Sequence, residues 1–532
     1  MKTAIVLAIA MALAAGPLHA QDAAQPPPTP PQEQPEVLTR GPMHEAFAGP
    51  VDLQVQKGLV APTEPPPDIV ENPPAERPAG HQYVWVPGYW GWDAERNGYI
   101  WISGCWRAAP PNRYWVPGYW YRTDEGWEWV PGFWAPVANV EQIEYLPAPP
   151  SIEDVQPPGP PPMPDNIWVP PCWYWYQSRY VWRPGYWVVA QPEWVWAPSH
   201  YVWTPRGYVF VVGHWDHSIP RRGVLFAPIY IPRPVYMQVG FSYSLSVVVD
   251  LGMFQFSLFT HPRYSHYYYG DYHDDVYVRL GIFPRYECRK HHTWYDPIYE
   301  HDRWHHVRVE PEWDRHERRE YERRRVEPEL RPPRTYREME ARQSRMPEAR
   351  RGEIQVAAPL SRVASDKQSP VKFKQVKDTA RQKLSTEATE VRTFGAERRQ
   401  WESVSAGAPR TAEPARERKT SVTVPQSPER AESESRQRER KSQAPPSAER
   451  REPTGTPAAE RKPTYVPPRD AGPSRPEQVK IPDPPIVNRE RGLGIFRKGP
   501  PSRPDAEQRT ESRSASGNGD RGRSSEKSRE RR

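Results

Sequence analysis

Cysteine is scarce in this chain: three residues in 532, too few for a disulfide framework. Beyond the first twenty residues, no apolar run is long enough to cross a bilayer as a helix, so no transmembrane span is expected. Aliphatic residues are thin where a core is needed. Tyr83–Trp134 holds no leucine and only six valines or isoleucines. Catalytic signatures are missing too: no phosphate-cradling glycine loop follows a strand, and neither G-x-S-x-G nor H-E-x-x-H occurs. The carboxylates of the N-terminal half are scattered, so spacing offers no glycosidase pair. These absences argue against an enzyme, and they leave no catalytic, cofactor-binding or metal-ligating residue to name.

Tryptophan is abundant, and it comes in a repeat. The pattern Trp-x-Pro-Gly-aromatic-Trp appears at Trp85–Trp90, Trp115–Trp120, Trp129–Trp134 and Trp182–Trp187, with variants at Trp101–Trp106 and Trp168–Trp173. Looser copies follow at Trp196–Tyr201 and Phe210–Trp215. The first aromatics at 101, 115 and 129, and again at 168, 182, 196 and 210, step by fourteen residues. A fixed period means stacked or paired copies of one small unit. Most copies carry another aromatic two residues earlier, as in Tyr83-x-Trp85, which is strand spacing. Polar, turn-forming stretches separate the motifs, and Asn97-Gly98 is a strong hairpin signal. The fold class expected is mostly β: an antiparallel meander with one strand per repeat and polar reversals. At Pro-Gly, glycine is read as supplying either a bulge or a type II turn.

The rest of the chain divides by composition. Residues 1–20 read as a secretory signal peptide, with Lys2 before an apolar run and a cut after Ala20. Residues 21–80 are a proline-rich linker, 81–136 the first repeat block, 137–165 a proline-rich spacer and 166–217 the second block. A Tyr/His-rich β region spans 218–310, and 311–532 is a charged, low-complexity tail with short helices. Through residue 310 there are 21 Lys+Arg against 30 Asp+Glu; from 311 onward 52 against 36, giving −9 and +16, which sum to the net +7. Such a tail suits contact with an anionic polymer, or simple solvation.

Cys105 and Cys172 occupy the same place in their repeats, directly before the closing Trp. Either one disulfide joins the two blocks in an oxidising compartment, or both are small buried hydrophobes; the sequence leaves both open. Nineteen of the 23 tryptophans fall within 83–215, more than one face of a small sheet hides. Motif tryptophans are expected mostly in the core. Trp92, Trp127 and Trp175 lie outside the paired motif positions and are the candidates for stacking on a flat ligand. Nine of fifteen histidines lie between His261 and His316, but no spacing matches a zinc signature.

The motifs resemble the YXWGXW (WXXGXW) repeat of secreted bacterial proteins, mainly over 81–215, and RRGVLFAPIY and HYYYGDY look like segments that accompany it. The resemblance implies export and a β-rich envelope or extracellular protein; the family has no assigned molecular function, so no site residue transfers. The expected role is a non-enzymatic cell-envelope scaffold in the periplasm, at the cell surface or outside the cell. Its partner would be another envelope protein or, in the alternative reading, glycan or peptidoglycan bound by exposed rings.

Overall fold

The computed structural model describes residues 34–403 apart from 55, 81, 138–142 and 253–256. All of these fall within one compact unit, Met1–Pro485, and the second unit, Ile486–Arg532, lies outside the described residues. The segments assigned to the signal peptide and to the tail beyond 403 also lie outside them.

The repeats fold as antiparallel hairpins, two copies to each. In the first, Tyr83–Val86 pairs with Cys105–Ala108, and Tyr89–Asp93 pairs with Gly98–Ile102. Both strands are interrupted at the same level, at Pro87-Gly88 and Ser103-Gly104. The second hairpin repeats this with Arg113–Val116 on Phe133–Pro136 and Tyr119–Thr123 on Gly126–Val130. The third pairs Asn166–Val169 with Tyr186–Val189 and Cys172–Tyr176 with Arg179–Arg183. The fourth pairs Trp194–Ala197 with His214–His217 and His200–Thr204 with Gly207–Val211. The expected antiparallel β architecture is therefore present, resolved into four separate hairpins. Successive hairpins share no ladder with one another.

Register explains the tryptophans. Each hairpin sets the first ring of one copy opposite the last ring of its partner. Trp85 faces Trp106 and Trp90 faces Trp101; Trp115 faces Trp134 and Trp120 faces Trp129; Trp168 faces Trp187 and Trp173 faces Trp182. In the fourth hairpin Trp196 faces Trp215 and the second pair is Tyr201 with Phe210. The ring centroids of these pairs lie between 4.9 and 5.3 Å apart. Such edge and tilted contacts are favoured by the ring quadrupole and add to area burial.

The motif glycine has a different purpose from the one its sequence suggests. None of Gly88, Gly104, Gly118, Gly132, Gly185 and Gly213 has a positive φ, so a type II turn is excluded. Space is the constraint. A Cβ on Gly118 would come within 2.5 Å of the Trp129 indole, and one on Gly104 within 2.6 Å of Trp85. Gly132 meets Trp115, Gly185 meets Trp168 and Gly213 meets Trp196 in the same way. The first Trp of one copy lies across the glycine of its partner.

The flanks differ from the linker and tail readings. Residues 36–78 thread through the protein as short strands, each laid on a different partner: Glu36–Val37 on Ile229–Tyr230, Gly41–Pro42 on His266–Tyr269, Val51–Asp52 on Trp294–Tyr295, Val60–Ala61 on Gly126–Val130, Val70–Asn72 on Ser242–Ser244 and Glu76–Pro78 on Phe373–Gln375. Proline gives no N–H to a ladder, which keeps such strands to two or three residues. Leu38, Met43, Phe47 and Ala61 between the prolines are buried. In the spacer, Leu146, Ile152 and Val155 are buried as well.

Past residue 310 the chain keeps packing. Helix Trp313–Val326 buries Trp313, Glu317 and Tyr321 at four-residue spacing, one stripe of an otherwise charged surface. The long helix Asp378–Ser403 seats Leu384, Ala388 and Phe394. A few well-spaced apolar residues are enough to dock a charged helix on a core that other elements supply, and composition averages conceal them.

Candidate functional site

Where the ladder breaks at Pro-Gly, backbone groups lose their cross-strand partners and need others. The N-terminal segment brings carboxylates to the first two breaks. Glu71 accepts from Gly88 N at 2.9 Å, Gly104 N at 2.8 Å and the Trp101 indole at 3.0 Å. Glu45 accepts from Gly118 N at 3.2 Å, Gly132 N at 3.1 Å and the Trp129 indole at 3.2 Å. In the fourth hairpin, the Ser199 hydroxyl accepts from Gly213 N at 2.8 Å. Burial pushes the Glu45 carboxyl up to about 7 against the lowering effect of these donors, and raises Glu71 in the same sense. Neither glutamate was legible as functional in the sequence, since each lies in a stretch that reads as a proline-rich linker.

The third hairpin departs from this arrangement. Pro171 replaces glycine, so that side of its break has no N–H to offer. Among the described residues its strands, like those of the fourth hairpin, pair only with one another, whereas the first two hairpins each gain further strands from elsewhere in the chain. Its rings are also the least covered. Trp182 is 39% exposed and Tyr176 45%. Trp173, Trp175, Tyr180 and Trp187 are half-buried. In the first hairpin Trp85, Trp90, Trp92, Trp101 and Trp106 are all buried. Trp173 opposite Trp182, and Trp175 opposite Tyr180, share one face of the third hairpin and make a platform of four rings. The spacer holds two of them: the Trp173 indole donates to Ser151 O and the Tyr180 hydroxyl to Pro147 O. The turn Gln177-Ser178 has φ of 47° and 59°, as a two-residue hairpin loop requires.

The sequence candidates separate in the structure. Trp92 is 5% exposed, packed edge-on to Tyr99, and does not offer a stacking face. Its extra position in the repeat points into a cluster built by Tyr264, Tyr268 and Tyr272 from the Tyr/His-rich region, a partner that the repeat itself does not reveal. Trp127 is half-buried beside Arg122, and Trp175 is half-buried on the four-ring platform, so the two belong to different hairpins. Cys105 and Cys172 are free thiols, both buried, in separate apolar clusters. Repeat equivalence makes them alike in register without bringing them together, and the disulfide is not formed. Burial raises the Cys172 thiol to about 12. Among the described residues no three His, Cys, Asp or Glu side chains gather as a metal site. His261, His266 and His273 are instead buried, with His266 stacked on Tyr264 at 3.8 Å.

A buried ion pair ties the first and fourth hairpins. Arg107, fully buried, reaches both oxygens of Asp216 at 2.6 and 2.5 Å, and Arg222 adds a contact at 3.1 Å. The two guanidinium groups hold the Asp216 carboxyl down near 2 despite its burial.

Residues 80–107, 112–135, 167–188 and 192–215 match the family model described as the WXXGXW repeat, two copies. The chain carries WXXGXW repeats. Each matched segment coincides with one hairpin, so the two-copy WXXGXW unit is the folding unit seen here. No curated protein and no solved structure matches the chain. No helix among the described residues is long and apolar enough to cross a membrane.

Proposed function

We propose that this protein is a non-enzymatic, exported scaffold of the bacterial cell envelope, with the third WXXGXW hairpin as its contact surface. The observation that carries this reading is the contrast in ring exposure. Three hairpins bury most of their paired rings, while the third keeps a platform of half-covered and exposed ones. Apolar rings left at a surface mark sites of interaction. The apolar leader at residues 1–20 supports export, and the basic C-terminal charge supports a second, electrostatic contact with an anionic polymer.

A second reading places glycan or peptidoglycan on the platform. It is favoured by the shared face of Trp173, Trp182, Trp175 and Tyr180, since partly covered aromatic rings gathered on one face suit the apolar faces of sugars. The test is co-sedimentation of the full chain and its Trp175→Ala/Trp182→Ala variant with purified cell-wall sacculi, at low and high salt. Salt-resistant pelleting lost in the variant supports glycan stacking. Pelleting only at low salt, unchanged in the variant, assigns the contact to the basic tail. Turnover of the sacculi would sink the non-enzymatic reading.

A further inference from the structure

Three of the four hairpins satisfy the glycine amides at their breaks from within the chain, and the third does not. Glu71 takes Gly88 N, Gly104 N and the Trp101 indole in the first hairpin. Glu45 takes Gly118 N, Gly132 N and the Trp129 indole in the second, and the Ser199 hydroxyl takes Gly213 N in the fourth. By repeat position the corresponding donors of the third hairpin are Gly185 N and the Trp182 indole, since Pro171 has no N–H. Among the described residues neither has a hydrogen-bond partner. The spacer passes close by without bringing them an acceptor: Ser151 O takes the Trp173 indole and Val155 O the Trp168 indole. Both residues reach the surface. Gly185 is half-buried, and Trp182 is 39% exposed where Trp101 is 0% and Trp129 1%. Pro171 accounts for the difference, because it stands where Gly118 lets Trp129 lie across the chain and its ring fills that space. Trp182 keeps its ring contact with Trp173 at 4.9 Å, so what it offers a ligand is its N–H rather than a free face.

We propose that the third hairpin binds a glutamate side chain of another protein, carried on an extended, proline-flanked segment. Its carboxylate accepts from Gly185 N and the Trp182 indole, as Glu71 and Glu45 do at the equivalent donors. Charge favours such a partner. Asn166–Val189 holds no Asp or Glu, unlike the other three hairpins, and its only charged residues are Arg179 and Arg183. A carboxylate also makes stronger bonds to two N–H donors than a neutral acceptor does. The flanking chemistry follows from the breaks already filled. Glu71 lies between Pro67 and Pro73, Glu45 between Pro42 and Pro50, and Pro67 O itself takes the Trp90 indole. The proposal rests on the reading of the third hairpin as the contact surface, and it gives that surface a protein partner.

The test is calorimetry of the full chain with a synthetic peptide of the chain's own residues 64–78, EPPPDIVENPPAERP, and with its Glu71→Gln form. Binding of the first with a Kd below about 1 mM is expected. It should weaken about tenfold or more in the Gln form, and equally in the protein variant Trp182→Phe, which keeps a ring and removes the N–H. Pro171→Gly supplies the missing amide and should tighten binding by about threefold or more. Thermal melts confirm that both variants fold. The proposal is overturned if the peptide does not bind at millimolar concentration, if the Glu and Gln forms bind alike, or if Trp182→Phe leaves the affinity unchanged. Equal binding of both forms, abolished by Trp175→Ala, would overturn the carboxylate site and leave the platform as a contact surface. Loss of sacculus pelleting in Trp175→Ala/Trp182→Ala tests that surface by itself.

Discussion

Glu45 and Arg398 grip the same break of the second hairpin through opposite ends of its peptide groups. Glu45 accepts from Gly118 N and Gly132 N. Arg398 donates to Pro117 O at 2.8 Å and Pro131 O at 3.1 Å. Arg398 is itself held by Glu402 at 3.0 Å and lies over the rings of Tyr119 and Phe133. Two distant parts of the chain thus satisfy one interruption of the ladder, which is why a helix rich in charge has a fixed seat.

Removing either grip should therefore be costly, and the two costs should interact. Glu45→Ala strands two amides and an indole, for about 2–4 kcal/mol; Arg398→Ala leaves Glu402 buried without its cation, for about 3–5 kcal/mol. Urea unfolding of the double variant should show a coupling above about 0.5 kcal/mol. Strict additivity would mean that the two residues do not act on one element.

Glycines in the motif and in the turn should respond oppositely to alanine. At Gly118 a methyl group meets Trp129 at 2.5 Å and Val130 O at 2.8 Å, so Gly118→Ala should destabilise by about 2 kcal/mol or more. At Gly98 the nearest atom is 3.8 Å away, and Gly98→Ala should stay within about 1 kcal/mol of neutral. Equal losses at both sites would refute the steric account.

The third hairpin turns on two non-glycine residues with positive φ, Gln177 and Ser178. Replacing them with Asn-Gly should raise stability by about 1 kcal/mol, because that pair adopts the turn without strain. Thermal melting checks this, and a lower Tm would show a different loop geometry.

Acid should act on His266 and Glu45 with opposite signs. Burial depresses His266 from 6.5 to about 3, so its contribution is present above pH 6.5 and is lost as pH falls toward the folded value. Burial raises Glu45 from 4.5 to about 7, so its contribution is present below pH 4.5 and is lost as pH rises through 7. Between pH 6.5 and 5, the stability of the unmodified chain relative to His266→Gln should fall by about 1.4 kcal/mol per unit; relative to Glu45→Gln it should rise at a similar rate. Chemical denaturation across that range reads both slopes, and slopes of the same sign contradict the assignment.

Thiol reagents should find no cysteine in the native protein. Cys105, Cys172 and Cys288 are free and buried, so all three should react once the chain is unfolded in denaturant without reductant. A count of one after unfolding would reveal a disulfide.

The hairpins were readable because their signals are local. The fourteen-residue beat, the alternation at Tyr83-x-Trp85 and the turn at Asn97-Gly98 each report on neighbours in sequence. What escaped is long-range. Nothing near Glu45 or Glu71 announces that glycine amides from the repeat hairpins await them, and Trp92 looked surplus to the motif because its partners lie in the Tyr/His-rich region. The motif glycine was visible, yet its reason was not: the indole that crosses it comes from the other copy. Of the stacking candidates, Trp175 is half-buried on the third hairpin, whose paired rings are less covered than those of the other three, and its own repeat does not signal that.

Because each repeat completes itself only against one partner copy, the array obeys a counting rule. A lone fourteen-residue insertion would leave one copy with no opposing ring for its tryptophans and no indole across its glycine, and it would re-pair every copy downstream. Relatives of this chain should therefore grow or shrink by twenty-eight residues at a time, with even copy numbers preserved throughout.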